Sequence, residues 1–378
     1  MIIRPFSVVR SGTGVALLLL GVLFLPRPAH GGQTAAGPLF SEEASGRDIY
    51  TAACAACHGV DGKGSPPAMV RFEPELPDFT DCRFATAEPM ADWLAVVHEG
   101  GPVRALDRHM PAFGEALTGS EMQRAVAHLY TFCTEPAWPR GDLNLPRAFF
   151  TEKAYPENEL VVAAASQGDS SAFAVQYERR LGARGQIEAT VPVEFLRTQT
   201  GWRSGAGDFS LGVKRVFHAS ADSGRILSGA AEIVVPTGRR SVGIGDGVAM
   251  FEPAVMFGQA LGPTGFLQLH SGVELSFDRA RRGHEAFARA AAGFSLLEDR
   301  GFGRAWTPMV EFMWARPEGA ASEWDISPQL QVTLSKLQHV AVSAGFRIPL
   351  SERESRSTQF VSYFLWDWFD GGLLEFWR

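Results

Sequence analysis

Gly46-Arg47-Asp48-Ile49-Tyr50-Thr51-Ala52-Ala53-Cys54-Ala55-Ala56-Cys57-His58 decides the fold of the first third of this chain. Gly46, Ile49, Tyr50 and Ala53 recur at helical spacing and form one packing face that ends at two thiols. The thiols stand one helical turn apart, and a histidine comes immediately after. That spacing suits two thiols adding across the two vinyl groups of one haem, with the adjacent imidazole on the iron. Cys54, Cys57 and His58 are therefore the expected attachment residues of a single covalent haem c. A zinc or redox pair is the competing reading of Cys-x-x-Cys. The helix before the motif and the histidine after it argue for haem.

Outward from the motif, Gly59-Val60-Asp61-Gly62-Lys63-Gly64 is a turn-rich loop of the kind that wraps a haem edge. The sixth iron ligand has to come from further along. His109-Met110-Pro111-Ala112-Phe113-Gly114 offers Met110, whose soft thioether keeps the iron six-coordinate and raises its potential. Pro111 fixes the chain direction after it. Met69 is the alternative thioether, and His109 with His98 the alternative bis-histidine pair. A helix is expected from about Pro89 to His98, with Gly100 as its stop. A last helix opens at Thr118 with Glu121 three residues on, a capping box. Met122, Ala125, Val126, Leu129 and Cys133 line one of its faces. Cys82 and Cys133 are left over, and both a disulfide and two separate buried thiols stay open.

The region from Ser41 to Cys133 resembles class I c-type cytochromes. The resemblance rests on the Gly46/Tyr50 helix, the Cys54-x-x-Cys57-His58 motif and the Met110-Pro111-Ala112-Phe113-Gly114 loop. It implies a small all-α domain with a His58/Met110 haem that moves one electron at a time.

The N-terminus reads as an export signal over residues 1–31. Arg4 and Arg10 precede an apolar run from Val15 to Leu25, too short for the ~20 residues of a spanning helix. The chain then divides into a linker (32–40), the cytochrome c domain (41–138), a Pro-rich connector (139–158) and a C-terminal region (159–378). Pro-rich segments are semi-rigid spacers. The connector is thus expected to hold the haem domain near the C-terminal region.

From Glu159 onward the pattern changes to period two. Ile187, Ala189, Val191, Val193 and Phe195 oppose Glu188, Thr190 and Glu194. Leu267, Leu269, Val273 and Leu275 oppose Gln268, His270 and Glu274. The segments 329–334 and 339–348 alternate in the same way. Many segments run near the ~9–11 residues of a tilted membrane strand, longer than the ~5–6 usual in soluble sheets. About twelve such strands are expected, an even number as in outer-membrane barrels. The chain has 27 Phe and 9 Trp against 5 Tyr. Trp306, Trp314, Trp324, Trp366 and Trp368 fall near strand ends, where interface girdles place aromatics. A soluble barrel or sandwich is the competing reading, and some 220 residues of continuous strand pattern are large for it.

Gly207-Asp208-Phe209-Ser210-Leu211-Gly212-Val213-Lys214, Pro236-Thr237-Gly238 and Gly243-Ile244-Gly245-Asp246-Gly247 look like transporter-type outer-membrane barrels of aromatic-degradation gene sets. The chain departs from the barrel habit of a final aromatic, ending Glu375-Phe376-Trp377-Arg378. The whole plan resembles fused cytochrome–porin proteins of extracellular electron transfer, including outer-membrane iron oxidases. The expected fold is thus multidomain, an all-α cytochrome c domain and then an antiparallel transmembrane β-barrel.

The 378 residues carry a formal net charge of −7, with 46% hydrophobic and 20% charged residues. This composition excludes a disordered chain and argues against a nucleic-acid partner, since no long Lys/Arg run grips phosphates. No nucleophile–base pair, metal cluster or phosphate loop stands out, so an electron carrier is expected rather than an enzyme. Two functional readings result. In one, the haem exchanges electrons between periplasmic redox proteins and an external donor or acceptor. In the other, the outer-membrane barrel transports a solute or anchors a haem domain that accepts electrons from a periplasmic dehydrogenase.

Overall fold

The computed structural model describes residues 38–70, 76–104, 106–135, 137–299, 302–335 and 339–367. The export signal, most of the 32–40 linker, Trp368 and the terminal Glu375–Arg378 lie outside the described residues.

The N-terminal part is helical. It comprises α1 (Gly46–Ala53), α2 (Ala55–His58), α3 (Pro67–Val70), α4 (Cys82–Ala85), α5 (Met90–Glu99) and α6 (Gly119–Leu129). Helix α1 starts at Ser45, whose hydroxyl accepts from the Asp48 N–H while the Asp48 carboxylate accepts from the Ser45 N–H. Helix α6 repeats the device with Thr118 and Glu121, as the capping-box spacing anticipated. Pro89 is the N-cap of α5, one position before the first helical turn. Helices α1 and α6 cross so closely at Gly46 that a Cβ there would overlap the Arg124 carbonyl oxygen. The Arg124 side chain in turn donates to the Glu42 and Ala44 carbonyls. Cys82 and Cys133 form a disulfide, with Cα atoms 5.1 Å apart, which ties α4 to the end of the last helix.

Fourteen strands come next among the described residues: β1 (Glu159–Gln167), β2 (Ser170–Leu181), β3 (Gly185–Thr198), β4 (Gly201–Ala206), β5 (Phe209–Ser220), β6 (Arg225–Val235), β7 (Met250–Leu261), β8 (Gly265–Ser276), β9 (Glu285–Phe294), β10 (Leu296–Asp299), β11 (Phe302–Pro317), β12 (Glu323–Thr333), β13 (Val340–Pro349) and β14 (Gln359–Asp367). Strands β4 and β5 both pair with β3, and β9 and β10 both pair with β11, so each couple occupies one position in the sheet. The sheet therefore has twelve positions, all antiparallel. It closes where β1 pairs with β14, from Glu159↔Asp367 to Ser166↔Phe360.

Burial along the strands is inside out. On β8, Gln268, His270 and Glu274 are 1–3% exposed, whereas Leu269, Val273 and Leu275 are 36–41% exposed. On β3, Glu188 is buried while Ile187, Val191 and Val193 face outward. A soluble barrel would bury the apolar set. This distribution belongs to a barrel bathed in lipid, with an apolar exterior and a polar lumen. Trp306 and Trp314 both project outward from β11. They are separated by about 26 Å along the strand at ~3.3 Å per residue, or roughly 20 Å of height at a ~40° tilt. No described helix is long and apolar enough to cross a membrane.

The two ends of the barrel differ. The end that carries Glu159 and Asp367 has the short turns 182–184, 221–224 and 262–264. The opposite end has the longer loops 236–249, 277–284 and 350–358. The haem-motif domain sits at the short-turn end. There Glu88 pairs with His339, and Arg184 donates to the Ala137 carbonyl.

The Pro-rich segment 139–158, expected as a semi-rigid connector that holds the haem domain near the barrel, is itself packed inside the protein. No residue in it is exposed. It enters the barrel lumen from the short-turn end and returns to β1. The Arg147 guanidinium bridges Glu159 (2.9 Å) and Glu178 (2.8 Å). Lys153 pairs with Glu157 and Glu159. Leu143, Ala154 and Tyr155 pack with Val216, Ile226 and Met256 of the barrel wall. The physical reason is mutual need. A closed polar lumen holds groups that must find partners, and this segment brings Arg147, Lys153 and Glu157 among apolar residues to meet them.

Candidate functional site

The haem motif lies where α1 hands over to α2. Ser45 starts the first helix in register, and the Cys54 N–H donates to the Tyr50 carbonyl at its end. The Tyr50 hydroxyl donates to the Gly59 carbonyl at 2.9 Å, fastening the turn after His58 to the buried face of α1. Cys54 and Cys57 are free thiols, and both are half-buried.

Cys54, Cys57 and His58 border a cavity of about 350 Å3, at the lower end of the ~300–1,000 Å3 usual for cofactor sites. Its walls are nearly all apolar. Tyr50, Leu76, Phe79, Phe84, Trp93, Val96, Ala125, Val126 and Leu129 contribute, and Met110 and Pro111 line it as well. The structure thus brings Cys54, Cys57, His58 and Met110 to one cavity. Met69 is 75% exposed on α3 and does not line it. His98 points its Nδ1 at Glu99 and its ring at Gly114, also away from the cavity. His109 does line it, with its Nδ1 held by Asp107 at 2.6 Å.

Two observations bear on what the cavity takes. His58 Nδ1 and Trp93 Nε1 are buried without a hydrogen-bond partner among the described residues. Burial also lowers the His58 pKa, which keeps the imidazole neutral and able to donate a lone pair. Burial first, and then the neighbouring Cys57, pushes the Cys54 thiol up to about 11. An apolar cavity edged by two thiols, a neutral imidazole and a thioether fits a covalently held haem. The nearly uncharged walls would favour a large flat macrocycle.

Sequence reading did not foresee the aromatic wall. Trp93 meets Phe79 and Phe84 edge-on with centroids 5.9 and 5.4 Å apart, and the two phenyl rings lie tilted to each other at 6.1 Å. They come from a loop and two helices, so no periodic pattern joins them. Their one signal was proximity to Cys82, which the disulfide pins beside α6.

Residues 41–129 match the family model described as cytochrome C oxidase, cbb3-type, subunit III. No curated protein matches the sequence significantly. Similar solved structures include an outer membrane channel from Pseudomonas putida F1, at 11% identity over 59% of this chain and 99% of that one, TM-score 0.41. The KdgM porin aligns at 8% identity over 55% of this chain and 98% of its own, TM-score 0.38. LpxR from Salmonella typhimurium aligns at 10% identity over 55% and 99%, TM-score 0.36. With scores this low, the barrel rests on its own strand pairing and closure.

Proposed function

Starting from a chain in which residues 41–129 form a cytochrome c domain and twelve strand positions close a barrel, we propose a membrane-anchored electron carrier. Cys54 and Cys57 would hold one haem c through thioethers, and His58 and Met110 would supply its iron ligands. Bound there, the haem supplies a one-electron couple. The protein's own residues do the rest. Tyr50 fixes the ligand turn, Trp93 Nε1 offers a buried donor, and the aromatic wall excludes water. The observation that carries this reading is the convergence of all four residues on one apolar cavity.

The barrel sits in an outer membrane, with the short-turn end facing the periplasm, since such barrels keep their short turns on that side. Export directed by residues 1–31 brings the chain to that compartment. The haem domain then faces periplasmic redox proteins, its electron-exchange partners. Exchange with an external donor or acceptor would require electrons to cross the lumen.

Cell fractionation with haem staining tests the proposal. Haem should remain on the polypeptide in denaturing gels, in an outer-membrane band whose mobility shifts on boiling. Haem found only in the soluble periplasmic fraction would remove the barrel from the membrane. Loss of haem from the denatured band would remove covalent attachment.

A further inference from the structure

We infer that residues 141–157 are a resident plug seated by Arg147 and Glu311, so that the barrel is an anchor closed to solutes and not an open pore. The inference rests on the membrane-barrel reading above and adds what occupies the lumen.

Glu311, at the middle of β11, is fully buried. Its carboxylate accepts three consecutive backbone N–H groups at the tip of the segment: Phe149 (2.9 Å), Phe150 (3.1 Å) and Thr151 (2.7 Å). Gln329 Nε2 donates to the same carboxylate at 2.6 Å. Successive N–H groups converging on one anion form a nest, which fixes a backbone as firmly as it fixes the anion. The carbonyls of the segment are also taken by the barrel wall. Gln268 donates to Pro146 (2.8 Å), Tyr363 to Arg147 (2.6 Å), Arg289 to Phe150 (2.9 Å) and Ser228 to Ala154 (2.5 Å). Side chains that seat the segment thus come from β6, β8, β9, β11 and β14, well round the barrel.

Water accessibility gives an independent argument. An open pore wets its lining. Here Gln176, Gln186, Ser228, Met256, Gln268 and Glu311, inward residues on six different strands, are each at most 1% exposed. On the long-loop side a vestibule of about 680 Å3 opens, and Phe150 at the plug tip is among the residues that line it. The segment is also locked from below. Gly141 N–H donates to the Thr86 carbonyl, and the Asp142 carboxylate accepts from the Met90 N–H at the start of α5. Gly141 is required there, since a Cβ would overlap the Ala87 carbonyl oxygen. The plug cannot withdraw without moving the haem domain.

Planar-bilayer recording of the purified, haem-loaded full chain is the test. Wild type should insert without open-channel steps, and the Arg147→Ala, Glu311→Gln double variant should raise open-channel events at least tenfold. Stable open-channel steps in wild type would overturn the inference. So would silence from a double variant that still shows the boiling-dependent gel shift of a folded barrel. Should that variant not fold, Thr151→Cys decides, because Thr151 is 1% exposed and its hydroxyl lacks a partner among the described residues. In intact cells this thiol should resist a membrane-impermeant maleimide and react only after unfolding, whereas labelling of the native protein would overturn the plug. Absence of any heat-shifting haem band from the outer membrane would instead fail the membrane reading itself, a separate result.

Discussion

At the scale of single residues, two methionines with the same chemistry are told apart by where the chain puts them. Met110 borders the cavity that His58 faces, whereas Met69 lies out in solvent. Substituting Met110→Ala should therefore open the sixth position. The ferric spectrum should lose its thioether signature, the reduced protein should bind carbon monoxide, and the midpoint potential should fall. Met69→Ala should leave all three unchanged. A Met110→Ala protein with an unaltered spectrum would sink the ligand assignment and return His109 to contention. Cys54, Cys57 and His58 were legible from sequence because their chemistry is set by covalent spacing along one helical turn. Met110 was also favoured there from its Met-Pro loop, and the structure puts it, but not Met69, on the cavity wall.

At the scale of elements, local rules were read well and close approaches were not. The capping box at Thr118 needs only a neighbour three residues on, and the structure repeats it, unforeseen, at Ser45. The reason for glycine at position 46 appears only when α6 is laid across α1. Gly46→Ala should cost about 2 kcal/mol through overpacking, measured by denaturant unfolding of the haem domain tracked through haem absorbance. The strands show the same division. Period two told which residues share a face, and the burial of Glu188, Gln268 and Glu274 told which face is the lumen. Val213 faces outward near the middle of β5, at 55% exposure. Val213→Arg should then destabilise the barrel by about 2–4 kcal/mol in lipid vesicles. An Arg at the mouth, as in Asp169→Arg on the β1–β2 turn, should change stability by less than about 0.5 kcal/mol. Equal effects at both positions would contradict the lipid-facing assignment.

At the scale of the whole molecule, three long-range features join parts that are distant in sequence. The Cys82–Cys133 disulfide spans 51 residues. Closing a loop of that length constrains the unfolded chain by about 4 kcal/mol in the chain-entropy model. Reduction should therefore lower the haem domain's unfolding midpoint, and a Cys82→Ser, Cys133→Ser variant should show the lowered midpoint without reductant. The Glu88–His339 pair seats the haem domain at the barrel mouth. The lumenal segment then links domain and barrel, with the cavity bordered by Cys54, Cys57 and His58 at one mouth and the vestibule at the other.

By itself the sequence determined the haem motif, the helical domain around it, and a run of strands that alternate a polar with an apolar face. Each rests on a period or spacing of a few residues, so neighbours along the chain suffice. Only the tertiary structure decided that Cys82 meets Cys133, that Met110 and not Met69 reaches the cavity, and that residues 139–158 fill the lumen. That last segment reads as a linker because its prolines and charges look solvated in isolation. It is buried because Glu311 and Glu178, 160 and 31 residues away from Thr151 and Arg147, supply the partners its polar groups need. No local pattern records a partner that only barrel closure brings within reach.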